Sequence, residues 1–350
     1  MNNRATSLLQ PGIFRLFLAI LVLVNHSSRF DLGDWAVYTF FILSGYWIYR
    51  MWEEKYSKAR APYRLFICSR ILRILPVFLL ANLLSALVLA ATHPVFPGPQ
   101  WRWLYAAGSN LFLLGYANLP FSQGGLRVAW SLDVEMQFYL VFPFAFYLCT
   151  QARPLVLWKV LIGAGCIVGI TVFFIPNDIG ARNLTCYALY FLIGAAAARR
   201  NWRPSGKLAD ALLISMFCLV AFCWCSPDAR QLFENAKHGA TESGIHSKRV
   251  LQALLAIVTA PIALLSVRNH SSRFDRTLGE FTYVFYLMHW PVMMLHAYYF
   301  ENLPPLQRLP SLLGAWTVVT VASLLIFQYF DQPIERTRKR WVANQVAAQS

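Results

Sequence analysis

Long apolar segments joined by short loops constrain this chain more than any other feature of its sequence. A helix of about 20 apolar residues crosses the ~30 Å hydrocarbon core of a bilayer. Only 13% of the 350 residues are charged, against about 25% in soluble domains. We therefore predict an all-α fold, a polytopic transmembrane helical bundle of about ten spans. The predicted spans are roughly 12–28, 35–52, 74–92, 132–150, 156–175, 183–198, 208–226, 250–267, 279–299 and 311–330.

The loops between these segments carry most of the Lys and Arg residues, and their distribution predicts the orientation. Ten spans with a cytoplasmic N-terminus place most of the 31 basic residues inside, as the positive-inside rule requires. A further apolar segment lies at 101–119. If it is counted as an eleventh crossing, the basic residues are distributed equally between the two sides of the membrane. We therefore predict a re-entrant or interfacial outer segment there, where Gly108, Ser109, Asn110 and Gly115 suit irregular backbone beside a cavity. Both termini are then cytoplasmic.

The remaining composition restricts the function classes. A net charge of +15 is also typical of nucleic-acid binding, but here the basic residues lie in short loops between apolar segments, so no nucleic-acid partner is expected. The seven cysteines lie mostly in apolar segments without metal-ligand spacing, which favours structural thiols and no metal site. The longest polar outer stretch, 226–249, is too short for a domain. We expect one membrane-embedded domain over 1–350, with no appended soluble domain.

Two polar side chains in the first apolar segment, Arg15 and His26, are spaced to lie on one face of a helix. The rise between them is about 16.5 Å, roughly half of the hydrocarbon core. An arginine inside a membrane costs about 2.5–3.5 kcal/mol even on the lenient insertion scale, and is usually tolerated where it faces a bundle interior or a cavity. The pair predicts two functional side chains at different depths of one pocket. The alternative is a snorkelling Arg15 and a His26 at the outer interface.

An acidic residue is predicted at a depth similar to that of His26. Glu135, in the fourth predicted span, lies about one turn below the outer surface in the ten-span arrangement. A carboxylate near an imidazole can fix the tautomer of the imidazole, which suits a general base. Alternatively, Glu135 is an ordinary interfacial acid. Asp133 lies about 160° away around the same helix and is not expected to share the pocket.

Two arginines mark the predicted cytoplasmic mouth of the third span. Arg70 and Arg73 are three positions apart and share a helix face. Two guanidiniums there are suited to gripping phosphates. They are equally consistent with ordinary positive-inside charges that touch anionic lipid.

Small and polar residues also occur inside two other predicted spans. Ser44 and Gly45 lie near mid-membrane in the second span, where small residues usually allow close helix packing. In the ninth span, Tyr286 and His289 share a face with Thr282. They indicate either a pocket wall or a hydrogen-bonded histidine of the core.

Together these motifs resemble the acyltransferase 3 family of integral membrane O-acyltransferases, from Arg15 to about Pro333. The markers occur in family order: Arg15 with His26, FFILSG at 40–45, Arg70 with Arg73, WSLDVEMQFYLVFP at 130–143 and TYVFYLMHWP at 282–291. There are three departures. The acidic residue that the family often has shortly before the arginine is missing from the stretch QPGIFR. The late Ser-Tyr pair is Thr282-Tyr283, and the usual Glu-x-Pro is Asp331-Gln332-Pro333.

The resemblance implies transfer of an acyl group, most often acetyl, from acyl-CoA to a hydroxyl of a cell-envelope or exported carbohydrate. The donor, acetyl-CoA, is a cytoplasmic co-substrate rather than a permanently bound cofactor, and the expected location is a bacterial cytoplasmic (inner) membrane. His26, assisted by Glu135, is expected to deprotonate the acceptor hydroxyl. An acyl-imidazole on His26 is an open variant. The residues expected to bind the donor are Arg15, Arg70 and Arg73, and those expected to line the pocket are Ser44, Tyr286 and His289.

Two other functions remain open at this point. Intramembrane Arg, His and Glu residues also build the substrate paths of transporters, so a transporter or flippase of an envelope glycan is the main alternative. No inverted repeat is evident in the sequence, which argues against it. The second alternative is a non-catalytic partner in an envelope-glycan assembly complex. The acceptor sugar and the oligomeric state are left open.

Overall fold

A computed structural model describes residues 10–92, 100–119, 125–151, 154–174, 182–227, 229–234 and 242–347. Within these ranges the chain forms α-helices and no β-strand, so the predicted all-α class is confirmed. The helices are α1 (Pro11–Ser27), α2 (Gly33–Glu54), α3 (Pro62–Thr92), α4 (Gln100–Phe112), α5 (Trp130–Gln151), α6 (Pro154–Phe174), α7 (Leu184–Arg199), α8 (Gly206–Cys225), α9 (Glu242–Val258), α10 (Ala260–Ser266), α11 (Arg273–Phe300), α12 (Pro305–Ile326) and α13 (Gln332–Ala347).

Three helical stretches in the described part of the chain are long and apolar enough to cross a membrane. They are α3, α8 and the continuous stretch Pro305–Ala347, in which a π-helical turn, Phe327–Asp331, joins α12 to α13. A fourth arises if Ser247–Val258 of α9 and α10, which bend by 45° about a short break, count together as one broken span. The apolar helices of a membrane protein are therefore present, and the number of ten spans stays a prediction.

The segment predicted to be re-entrant or interfacial contains one short helix and a bend. The 13 residues of α4 rise about 20 Å, less than the ~30 Å needed to cross. After α4 the backbone turns left-handed at Leu113 (φ 65°) and Gly115 (φ 76°). Irregular backbone at Gly115 is therefore confirmed. The same expectation for Gly108–Asn110 is wrong, because these residues lie inside regular α4.

By its internal contacts the chain divides into two compact units. Unit 1 comprises Met1–Arg50, Phe146–Asp178 and Thr185–Thr282, and unit 2 comprises Met51–Ala145, Ile179–Leu184 and Tyr283–Ser350. Arg15, His26 and Ser44 belong to unit 1. The other residues of the predicted site belong to unit 2, namely Glu135, Arg70, Arg73, Tyr286 and His289. The expectation of a single membrane-embedded domain stays a prediction.

In unit 1, α2 and α7 approach each other backbone to backbone. A Cβ atom on Gly45 would lie 2.0 Å from the carbonyl oxygen of Phe191, and one on Gly194 would lie 1.9 Å from that of Ile42. The absence of side chains at both glycines therefore permits this contact. The close-packing interpretation of Gly45 is thus confirmed, while a pocket-wall role for the buried Ser44 stays a prediction.

Candidate active site

In unit 1, α1 is one uninterrupted helix that carries both polar residues of the first apolar segment. Arg15 lies in its second turn and His26 in its last turn, about 16.5 Å apart along the axis. Both side chains are half-buried. The placement of the two residues on one helix, expected from their spacing, is therefore found in the structure. Their chemical roles stay predictions.

The N-terminus of α1 is held by an acid from far along the chain. Asp275, fully buried in the first turn of α11, accepts a 2.9 Å hydrogen bond from the backbone N–H of Ile13 through its Oδ1 atom. Its Oδ2 atom accepts a hydrogen bond from the Ser271 hydroxyl at 2.5 Å. The stretch before Arg15 contains no acidic residue. In the folded chain, Asp275 places an acidic side chain at the N-terminus of α1 instead. Sequence reasoning missed Asp275 because 262 positions separate it from Ile13.

A buried ion pair holds the loop that follows His26. Lys248 Nζ lies 2.6 Å from Oδ2 of Asp31, and both residues are buried. Gly33 packs against Asn25, the neighbour of His26, so closely that a Cβ atom on Gly33 would lie 2.4 Å from the Asn25 side-chain nitrogen. Both ends of α1 therefore have contacts with other parts of unit 1. No sequence motif indicated the pairing of Asp31 with Lys248.

In unit 2, the two acids of α5 have different surroundings. Glu135 is half-buried and accepts a hydrogen bond from the hydroxyl of Tyr139, one turn along the helix. Asp133 is fully buried and accepts hydrogen bonds from the backbone N–H of Ala117 at 2.8 Å and from Gln137 Nε2 at 3.0 Å. Asp133 therefore fastens the bend after α4 to α5. The expected pairing of Glu135 with His26 stays a prediction.

Arg70 of α3 lies among aromatic rings near the helix start. Its Nη2 atom donates a 3.0 Å hydrogen bond to the Tyr56 hydroxyl. Its guanidinium carbon lies 5.7, 5.6 and 5.9 Å from the ring centres of Tyr56, Phe66 and Tyr139, within the range of cation–π attraction. With 7% of its surface exposed, Arg70 is not a lipid-facing charge. The alternative in which its guanidinium touches anionic lipid therefore does not fit Arg70, while its position relative to the membrane stays a prediction.

Tyr56 lies outside the predicted spans, and its hydroxyl has two polar side chains as hydrogen-bond partners. It hydrogen-bonds the Ser69 hydroxyl at 2.8 Å in addition to Arg70. Burial raises the pKa of Tyr56, whereas the charge of Arg70 and the hydrogen bonds with Ser69 and Arg70 lower it. The net result is a pKa below the usual value of tyrosine. Tyr56 was missed from sequence because nothing in its local pattern indicates this surrounding.

Arg73 has a different partner from Arg70, although both lie on α3. Its Nη1 atom donates to Oδ1 and Oδ2 of Asp331 at 3.1 and 3.2 Å. The guanidinium carbon lies 5.0 Å from the ring centre of Tyr283. Asp331 ends the π-helical turn after α12 and is buried. The guanidinium of Arg73 is thus engaged within unit 2, and its role in donor binding stays a prediction.

The C-terminal helix α13 continues this contact along α3. Arg338 donates to the Ser69 hydroxyl and forms an ion pair with Glu335. Because Arg73 meets Asp331 and Ser69 meets Arg338, the chain from 331 to 338 runs antiparallel to α3. From sequence, the basic residues of α13 indicated only orientation in the membrane.

The predicted pocket wall on α11 is tightly packed. The hydroxyl of Tyr286 donates to the Val128 carbonyl at 3.1 Å and hydrogen-bonds the Ser131 hydroxyl at 2.8 Å. The His289 side chain, whose ring centre lies 5.8 Å from that of Tyr286, is fully buried. This burial favours the alternative of a core histidine. A role of Tyr286 or His289 in a pocket wall stays a prediction.

The chain belongs to the acyltransferase 3 family, whose model, described as an acyltransferase domain, matches residues 9–330. The resemblance stated from the motifs is therefore confirmed, and with it the class of protein, an acyltransferase. Helix α13 lies beyond the matched residues.

Two curated proteins are similar to this chain. Acyltransferase MdmB of Streptomyces mycarofaciens is 24% identical over 281 residues, which cover 75% of this chain and 68% of that protein. Peptidoglycan O-acetyltransferase OatA of Listeria monocytogenes serovar 1/2a is 23% identical over 357 residues, which cover 91% of this chain and 54% of that protein. The chain thus spans about half the length of the second relative. No solved structure matches the chain.

Proposed function

We propose that this protein is a membrane O-acyltransferase that moves an acetyl group from cytoplasmic acetyl-CoA to a hydroxyl of a cell-envelope or exported carbohydrate, in a bacterial inner membrane. The observation that carries the proposal is α1, one helix that holds Arg15 and His26 in a chain of the acyltransferase 3 family. The name of one relative, peptidoglycan O-acetyltransferase, supports acetyl as the acyl group and a glycan as the acceptor class.

In the proposed reaction, His26 is the general base. Its imidazole takes the proton of the acceptor hydroxyl as the oxygen attacks the thioester carbonyl, so that a C–O bond forms and the C–S bond breaks. The imidazolium then returns the proton to the departing thiolate of coenzyme A. A positioned base contributes about 10²–10⁴-fold in rate. Glu135, held by Tyr139, is proposed as the second catalytic residue.

Arg15, Arg70 and Arg73 are proposed to bind the donor, whose phosphates are anionic. The surroundings of Arg70 support this role. Its Nε atom is buried and has no hydrogen-bond partner among the described residues. Buried polar atoms are generally hydrogen-bonded, so such an atom is suited to an oxygen of a bound ligand.

The proposal is tested by measuring acetyl transfer by the purified protein in lipid nanodiscs, with acetyl-CoA and peptidoglycan fragments as substrates. Free thiol is measured as it is released, and acetylated product is detected by mass spectrometry. We expect His26→Ala to lower the transfer rate by about 100-fold or more, since the base is lost, with an unchanged thermal unfolding midpoint. His270→Ala, which removes an exposed histidine, is the matched control.

Transfer retained in His26→Ala contradicts the role of general base. A folded wild-type protein that neither transfers acetyl groups nor hydrolyses acetyl-CoA contradicts the enzyme. That result favours the transporter or the non-catalytic partner.

A further inference from the structure

The N-terminus of α1 lacks a cap of its own. Gln10, the first described residue, has the extended backbone of an N-cap (φ −75°, ψ 148°) but makes no side-chain capping bond, and the first turn contains no acid. The first N–H groups of a helix have no partners within the helix. They also form the positive end of its dipole. Something outside α1 must therefore satisfy this end.

Asp275 supplies the missing acceptor and joins two helices. Ile13 is the third residue of α1, the position whose N–H an N-cap side chain ordinarily satisfies. Asp275 Oδ1 accepts the hydrogen bond from this N–H, while Asp275 itself lies in the first turn of α11, where Ser272 Oγ accepts from its N–H at 3.0 Å. A fully buried carboxylate in the first turn of α11 thus caps the N-terminus of α1, while Ser272 caps α11 itself.

The contact around this carboxylate is close. A Cβ atom on Gly12 would lie 1.8 Å from the carbonyl oxygen of Asp275. One turn along α11, a Cβ atom on Gly279 would lie 3.4 Å from the Cα atom of Gly12. The start of α1 therefore has little freedom to slide or turn against α11.

We propose that Asp275 is a positioning residue that fixes the axial position of α1, and thereby of Arg15 and His26. The inference rests on the proposed function, because it concerns the groups assigned to donor and base. A helix moves as a rigid body, so a shift at its N-terminus carries His26 with it. A misplacement of 1 Å at a reacting group can lower a rate about 100-fold.

A local cap separates this positioning role from helix capping alone. In Gln10→Asp the new carboxylate stands at the N-cap and is able to accept from the Ile13 N–H. Combined with Asp275→Ala, this change restores the cap of α1 without restoring the connection to α11. If Asp275 only caps α1, the double variant regains activity. If Asp275 positions α1, the double variant regains amide protection but not activity.

The experiment compares amide hydrogen exchange of peptides covering residues 11–17 with kcat and KM for acetyl-CoA, all in nanodiscs. We expect Asp275→Ala to exchange faster at these amides and to lose about 10- to 100-fold in kcat. The double variant recovers slow exchange and keeps the low kcat. Asp275→Asn retains an acceptor oxygen and most of the activity. Asp210→Ala, at an exposed acid of α8, is the control and resembles the wild type.

Gly12→Ala tests the same connection without removing the acid, and so guards against a failure of Asp275→Ala to fold. It forces α1 away from α11, and we expect a similar loss of kcat. Unchanged kcat in Asp275→Ala or Gly12→Ala overturns the proposal, and so does recovery of kcat in the double variant. If amide hydrogen exchange of residues 11–17 is unchanged in Asp275→Ala, the hydrogen bond from the Ile13 N–H to Asp275 is contradicted. A wild type without transfer activity overturns the proposed function, and with it the catalytic meaning of the contact, even where the exchange pattern holds.

Discussion

At the scale of residues, half-buried Arg73 and buried Asp331 form an ion pair across 258 positions of sequence. Only 18% and 5% of their side-chain surfaces are exposed. Removing one member of a buried pair leaves an uncompensated charge, which costs about 3–5 kcal/mol, while replacing both members with neutral groups costs much less. The pair therefore joins α3 to the π-helical turn after α12 and makes each residue depend on the other.

We predict that Arg73→Gln lowers the free energy of unfolding by about 3–5 kcal/mol, because the buried carboxylate of Asp331 loses the guanidinium of Arg73. The double variant with Asp331→Asn should recover most of the free energy of unfolding that Arg73→Gln loses. Denaturant titration in mixed micelles measures both, and Arg340→Gln, at an exposed arginine of α13, is the control. Equal and additive losses from the two substitutions would contradict a coupled pair.

At the scale of elements, the crossing of α2 and α7 depends on two glycines. Each faces a backbone carbonyl of the other helix at a distance that no Cβ atom tolerates. Because backbone atoms move only with their helix, a methyl group at either position must separate the helices. Some glycines of other helices face open space instead, among them Gly169 of α6 and Gly314 of α12.

We expect Gly45→Ala and Gly194→Ala each to lower stability by about 1–3 kcal/mol or more through overpacking. Gly169→Ala is the matched control. It should be neutral or stabilising by up to about 1 kcal/mol, since alanine favours the helix. Thermal unfolding in detergent, followed by circular dichroism, compares the three. A Gly45→Ala variant as stable as Gly169→Ala would show that α2 and α7 do not meet at this point.

At the scale of the whole molecule, three contacts bear on the number of crossings. Each lies within one compact unit: Ile13 with Asp275, Asp31 with Lys248, and Arg73 with Asp331. The ten-span arrangement places both members of each contact on the same side of the membrane. An additional crossing at 101–119 would put the members of all three on opposite sides. These contacts support an outer segment at 101–119 that does not cross.

We predict that a reporter fused near residue 125 reads out on the outer side, because α4 is too short to cross. Paired fusions of alkaline phosphatase and a fluorescent protein measure the side. A fusion after Arg203, in a loop predicted to be cytoplasmic, is the control. A cytoplasmic signal near residue 125 would restore the eleven-span alternative and reverse the orientation of every later segment.

Features that depend on neighbours along the chain were predictable from the amino-acid sequence alone. Helical class, the placement of Arg15 and His26 on one helix, and the small-residue contact at Gly45 all follow from periodicity and side-chain size. The family also followed, because its markers occur in order along the chain. The expectation for Gly108–Asn110 failed since small and polar residues remain compatible with a helix whose side chains find partners. Asn110 donates to Ala106 within α4 and accepts from Asn82 of α3.

The contacts between residues far apart in sequence became visible in the folded chain. In three contacts the two partners are more than 200 positions apart in sequence, and no local pattern marks one partner for the other. The contacts are Asp275 with Ile13, Asp331 with Arg73, and Lys248 with Asp31. Periodicity along the sequence determines which face of a helix a residue occupies. The face that it then meets is determined by packing of the whole chain. Buried charges must find counter-charges or hydrogen-bond donors there, so the pairs become visible once the helices are placed.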